Sequence, residues 1–145
     1  MSADILLAAL LSMYHHVNYR ECIEANRFHI ASVADEGERE YGVPAGLSLV
    51  TGFFETHLGC ARGESGNWGA PIDRFHRHTA GTPTQAVRAI AHSYRVCGSW
   101  VGAVGRFRSG LCHPVRREHR AAVTIRINTA RAVYHRAGLP TPEGL

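Results

Sequence analysis

The sequence predicts an all-α fold in a single domain. Apolar residues recur at helical spacing along most of the chain, and proline and glycine stand where helices should begin and end. No stretch alternates apolar and polar residues in the manner of a strand. The chain has 145 residues, the length of one ordinary domain, and 45% of them are hydrophobic, enough to bury a core. No internal repeat or long linker divides it, so residues 1–145 are read as one unit.

The first element is a helix over 3–17, capped by Ser2 or Asp4, with Leu6, Leu7, Leu10, Leu11 and Tyr14 as its stripe. It does not resemble a secretory signal, because Asp4 stands where basic residues belong and the first arginine is Arg20. Its apolar run is too short to cross a bilayer, so no membrane insertion is expected and export would need another route. The segment from Tyr19 to Tyr41 is helical in pattern, with Ile23, Arg27, Ile30, Ala34 and Tyr41 near one face and Gly42 as its stop. The third helix, Pro44 to Thr56, opens with proline at the first turn and is almost wholly apolar or small. Leu47, Val50 and Phe54 form its stripe, and it should be central and buried.

Gly59 ends that helix, and a glycine- and proline-rich loop follows, CARGESGNWGAPIDRFHRHTAGTP. A loop of this length in a small domain is usually functional. Thr82 then caps a helix with Pro83 at its first turn. A short helix, SWVGAVGRF, is closed by Ser109-Gly110, and a basic helix runs over 119–136 to Gly138. On this last helix Ala121, Val123, Ile125, Ile127 and Val133 read as packing positions. Its arginines, Arg126 and Arg131 among them, read as a solvated face.

The chain is basic: 16 Lys+Arg against 12 Asp+Glu give a formal charge of +4, with ten histidines besides. Such a surface suits polyanions, whether nucleic acid, an anionic membrane or an acidic cell wall. Cys22, Cys60, Cys97 and Cys112 permit two disulfides in three pairings, or remain buried thiols. Outside the cytoplasm they should pair, with Cys97–Cys112 closing the shortest loop among sequence-adjacent choices. The run Phe75-His76-Arg77-His78, and the pairs His57 with Cys60 and Cys112 with His113, invite a metal reading. They lack the tighter CxxC or HxxxH spacing, and no metal or other cofactor is expected.

Glu55 carries the chemistry. It ends an apolar helix beside Phe53 and Phe54 and faces the glycine-rich loop. Desolvation there favours the protonated carboxyl, the form that a glycosidase needs to protonate its leaving oxygen. The plainer alternative is a glutamate whose side chain escapes to solvent at a helix end.

Around this residue the chain resembles the soluble lytic transglycosylase family, within the lysozyme-like superfamily. Tyr41-Gly42-Val43-Pro44-Ala45-Gly46-Leu47 leads to Glu55-Thr56, where the family has a "YGV-P-x-L-L" entry leading to a catalytic "E-S" pair. Gly69-Ala70 stand where the family has a "G-A" pair, fourteen residues after the glutamate. Residues 103–110 match an "A-x-x-Y-N-x-G" element loosely. The likeness spans about 30–113. It implies a single lysozyme-like domain with a glycine-rich active-site loop and Glu55 as catalytic acid and base. The chain departs from the family at Pro71-Ile72-Asp73-Arg74, which replaces "G-L-M-Q", and at Phe107 and Arg108, which replace a tyrosine and an asparagine.

The loop supplies the remaining candidates. Trp68 is either a platform for a sugar face or a core residue pinning the loop. Ser65, Asn67 and Gly69, with Phe107 and Arg108, are assigned to substrate contact. Asp73 is the candidate second carboxylate, needed by a hydrolase but not by a transglycosylase, in which the sugar's own 6-hydroxyl attacks. The expected function is cleavage of the β-1,4 bond from N-acetylmuramic acid to N-acetylglucosamine in bacterial peptidoglycan, by an extracytoplasmic monomer without nucleic-acid partners. A catalytically weak cell-wall-binding domain of an envelope or phage assembly is the second reading, favoured by Phe107 and the missing "G-L-M-Q". A basic helical nucleic-acid-binding domain is the third, favoured by charge alone.

Overall fold

The computed structural model describes residues 2–14, 18–61, 66–69 and 82–145. These residues form seven helices and no strand: α1 (Ala3–Met13), α2 (Arg20–Ala25), α3 (Arg27–Tyr41), α4 (Ala45–Thr56), α5 (Pro83–Cys97), α6 (Trp100–Ser109) and α7 (Arg117–Ala137). Helix α4 packs against α1, α3, α5 and α7, while α6 fills the angle between α5 and α7. Every residue of α4 from Ala45 to Phe53 is buried. The apolar composition of this segment thus does what it dictates, placing the helix at the centre of the core.

Punctuation set most boundaries. Thr82 and Gln85 form a reciprocal capping box at the start of α5, and the Ser99 hydroxyl accepts the Gly102 N–H at the start of α6. Gly42, Gly98, Gly110 and Gly138 end α3, α5, α6 and α7 in the left-handed conformation. The N-terminus of α1 departs from expectation. Neither Ser2 nor Asp4 caps it; the Ala3 N–H instead donates to Asp35 Oδ1 of α3 at 3.1 Å. The segment read as one helix from Tyr19 to Tyr41 is two, broken at Asn26, whose side-chain amide donates to the Cys22 carbonyl. No helix among the described residues is long and apolar enough to cross a membrane.

The start of α4 is capped from other elements. Pro44 has no side-chain oxygen to offer, so the Ala45 N–H points to Glu38 Oε2 and the Gly46 N–H donates to the Tyr134 hydroxyl at 3.0 Å. Gly46 is required here, because a Cβ would lie 2.5 Å from Tyr134 Cε2. Burial pushes the Tyr134 phenol up to about 12, Glu38 adding to the rise and the Gly46 hydrogen bond opposing it. The folded protein therefore holds this proton at a pH where the unfolded chain releases it. The associated stability, about 2–3 kcal/mol for two pKa units, is fully present below pH ~10 and is lost as pH rises through ~12. Urea titrations across that window should show the loss in the wild type. Tyr134→Phe should lack it, while being about 1 kcal/mol less stable at neutral pH for want of the Gly46 acceptor. Equal pH slopes in the two proteins would refute this.

Two disulfides close the structure, Cys22–Cys60 and Cys97–Cys112, with Cα separations of 5.8 and 5.6 Å. The first ties α2 to the turn after α4. The second ties the end of α5 to the segment after α6, so that α6 lies inside a short covalent loop. Bridges of this span contribute about 3–4 kcal/mol each in the chain-entropy account.

Candidate active site

The chain turns sharply after Glu55. His57 and Leu58, both non-glycine, and then Gly59 take left-handed backbone angles in succession (φ 51°, 55° and 80°). Such angles cost roughly 1 kcal/mol or more at each side-chain-bearing residue, and other contacts hold them. Leu58 is buried, the His57 ring packs on Phe53 and Tyr19, and Cys60 is bridged to Cys22. The Thr56 hydroxyl accepts the Gly59 N–H at 2.9 Å and donates to the Asn67 carbonyl at 2.6 Å, stitching the turn to the loop.

The loop returns over α4. Trp68 is only 2% exposed and rests on Gly52, where a Cβ would come within 3.1 Å of its ring. It pins the loop to the core and offers no face to a sugar, which corrects its assignment as a substrate platform. The Asn67 side chain accepts the Gly69 N–H at 3.1 Å and so shapes the turn. Gly69 then crosses Glu55: a Cβ there would stand 3.1 Å from Glu55 Cβ and 3.7 Å from Oε2. Gly69 and Gly42 both have positive φ, but a Cβ on Gly42 meets nothing within 4 Å. Gly42→Ala should thus cost only the backbone strain, about 1 kcal/mol. Gly69→Ala should cost about 1–2 kcal/mol more, because it also presses on Glu55. Equal losses in urea unfolding would count against the contact.

Glu55 sits near the C-terminal end of α4 with 18% of its side chain exposed. A carboxylate there opposes the helix dipole, and two guanidiniums compensate. Arg126 of α7 donates from Nη2 to Glu55 Oε1 at 3.1 Å, and Arg108 of α6 brings Nη1 to 3.5 Å of the same oxygen. The carboxyl therefore has two cations beside it, where the sequence reading gave it only Phe53, Phe54 and the glycine-rich loop as neighbours. Arg126 is almost fully buried; its Nη1 donates to the Ala122 carbonyl, and its guanidinium lies 5.4 Å from the centre of the Phe54 ring. Phe54 is half-buried between this guanidinium and Tyr14, while Phe53 takes the core position expected of it. Burial pushes the Arg126 pKa down, Glu55 pulls it back up, and Arg108 adds to the lowering. Both guanidinium contacts to Glu55 are made to Oε1, while Oε2 is the carboxyl oxygen that a Cβ on Gly69 would approach.

The structure thus brings together Glu55, Gly69 and Arg108 from the sequence-predicted set, and adds Arg126. Phe107 is a core residue, 4% exposed, and corrects its assignment to substrate contact; its neighbour Arg108 is the one turned to Glu55. Arg126 was read as part of a solvated face. Its spacing from Val123, Ala130 and Val133, all buried, puts it on the inner face of α7, a signal present in the sequence. Conversely Ala121 and Ile125, read as packing positions, are exposed. Ser65, Asp73 and the histidine-rich run lie outside the described residues. Cys60 and Cys112 are disulfide-bonded and have no thiolate to offer a metal. A separate groove of about 400 Å³ lies at the opposite end of α4, lined by Tyr94, Trp100, Glu38 and Glu143 among others. Comparison with protein-family models, with curated proteins and with solved structures finds no match for this chain.

Proposed function

We propose that the protein cleaves the glycan strands of bacterial peptidoglycan with a lysozyme-like domain, breaking the β-1,4 bond from N-acetylmuramic acid to N-acetylglucosamine. The observation that carries this is the asymmetry of Glu55. One oxygen is held by Arg126 and Arg108, and the other is turned toward the glycine loop. A proton on Oε2 passes to the leaving glycosidic oxygen. The guanidiniums stabilise the carboxylate that this transfer leaves behind. In the transglycosylase version the same carboxylate then takes the proton of the attacking 6-hydroxyl. In the hydrolase version Asp73 positions or activates water.

The two disulfides fit an oxidising compartment, and with them an extracytoplasmic place of work. The arginines of α7 give little support to a nucleic-acid surface. Arg126 is turned inward and paired with Glu55, so it adds no charge to the outer face of that helix. The second reading, a wall-binding domain of weak activity, is favoured by the same pair of guanidiniums, since an ion-paired Glu55 also serves to tie α4 to α6 and α7.

Incubation with purified peptidoglycan, followed by mass spectrometry of the soluble fraction, tests the proposal. Muropeptides with anhydro ends identify a transglycosylase, and reducing ends identify a hydrolase. Co-sedimentation with the wall without released muropeptides would support the binding domain instead. A DNA-binding assay alongside tests the third reading.

A further inference from the structure

We propose that Arg108 and Arg126 form a carboxylate-binding subsite beside Glu55, and that it takes the acidic group of a carboxyl-bearing sugar. The sugar part rests on the glycan-cleaving reading above; the anion part stands on charge and geometry alone.

Two guanidiniums meet one carboxylate. Among the described residues no other anion is paired with either, so among these residues, with Glu55 ionised, the two guanidiniums leave one positive charge in surplus. The surplus is expensive where it lies. Arg126 is 6% exposed on its side chain, and its Nε is buried without a hydrogen-bond partner. Arg108 is differently placed: its side chain is 35% exposed, and Glu55, at 3.5 Å, is its ion-pair partner. That distance is long for a charge-assisted hydrogen bond, so Glu55 does not saturate the donors of the Arg108 fork. A guanidinium fork matches a carboxylate in a planar, two-bonded geometry that no neutral sugar hydroxyl reproduces. A second anion entering from the solvent side would neutralise the surplus. It would also replace Glu55 as counter-ion to Arg108. Arg108 is then the residue that selects acidic over neutral glycans.

The experiment titrates the full-length protein with N-acetylmuramic acid, N-acetylglucosamine and acetate, reading the arginine Nε–Hε and Gly69 amide NMR signals. The acidic sugar should bind about tenfold more tightly than the neutral one, equivalent to one charge-assisted contact. Arg108→Gln should abolish that preference. Glu55→Gln, which removes the competing carboxylate, should tighten binding of the acidic sugar by about tenfold. Equal binding of the two sugars, or a preference that survives Arg108→Gln, overturns the proposal. Acetate binding as tight as the acidic sugar marks a general anion site and overturns the sugar part. An acid preference in a protein that releases no muropeptides would refute the glycosidase reading and leave the subsite standing. Cleavage without any acid preference would do the reverse.

Discussion

Glu55→Gln is expected to lower peptidoglycan cleavage by at least about a hundredfold, the usual worth of a general acid. Glutamine keeps the shape of the side chain and an oxygen for Arg126, but it has no proton to give to a leaving oxygen. The charge it removes is also the counter-ion of a buried guanidinium. Stability should therefore fall by about 1–3 kcal/mol, rather than rise as it would for a carboxyl in a wholly apolar pocket. The comparison needs protein shown to be folded, by near-ultraviolet circular dichroism, at the assay temperature. Muropeptide release at the wild-type rate by folded Glu55→Gln protein would end the proposal that this carboxyl is the acid.

Arg126→Met is expected to be the most damaging single change to the fold among the site residues. It removes the closest cation to Glu55, the contact with the Phe54 ring and the link between α7 and the end of α4. Breaking one side of such a pair costs on the order of 3 kcal/mol, because the partner keeps its charge in poor surroundings. Made in the Glu55→Gln background, the same substitution should cost much less, since no charge is then stranded. The difference between the two losses, taken from urea midpoints at constant m, measures the coupling. Equal losses in both backgrounds would show that Arg126 contributes by packing and not through Glu55.

Much of the helical frame was legible because it depends on local chemistry. Pro44, Thr82 and Pro83, and the glycines at 42, 110 and 138 act within a few residues of where they stand. The central place of α4 followed from its lack of polar side chains. What failed depended on partners far away in sequence. The break at Asn26 was hidden because Ile23, Ile30 and Ala34 keep one apolar face across it. Trp68 could be placed only once Gly52, in another element, was seen to give it a seat. The cysteines did not fail: Cys97–Cys112, the shortest loop among the sequence-adjacent choices, is formed, with Cys22–Cys60 beside it. Arg126 was misread because arginine is ordinarily solvated, although its helical position pointed inward; its partner is 71 residues away. At the candidate site Glu55 and Arg108 were both singled out through the family resemblance, Glu55 also by its place on an apolar helix. The electrostatics around them, two cations on one oxygen, were not.

That long separation has a consequence for the newly made chain. Glu55 is translated with α4, but Arg108 arrives with α6 and Arg126 only with α7. A nascent polypeptide that has emerged as far as α5 carries the carboxylate without either of its cations. The same holds for any state in which α7 has come away while the rest stays packed. If the cations are required, such a protein is inert until its last helix docks, and docking itself is the step that arms it. On the proposed reading, a wall-degrading activity built in this way would stay silent in the compartment where it is synthesised for as long as folding is incomplete there.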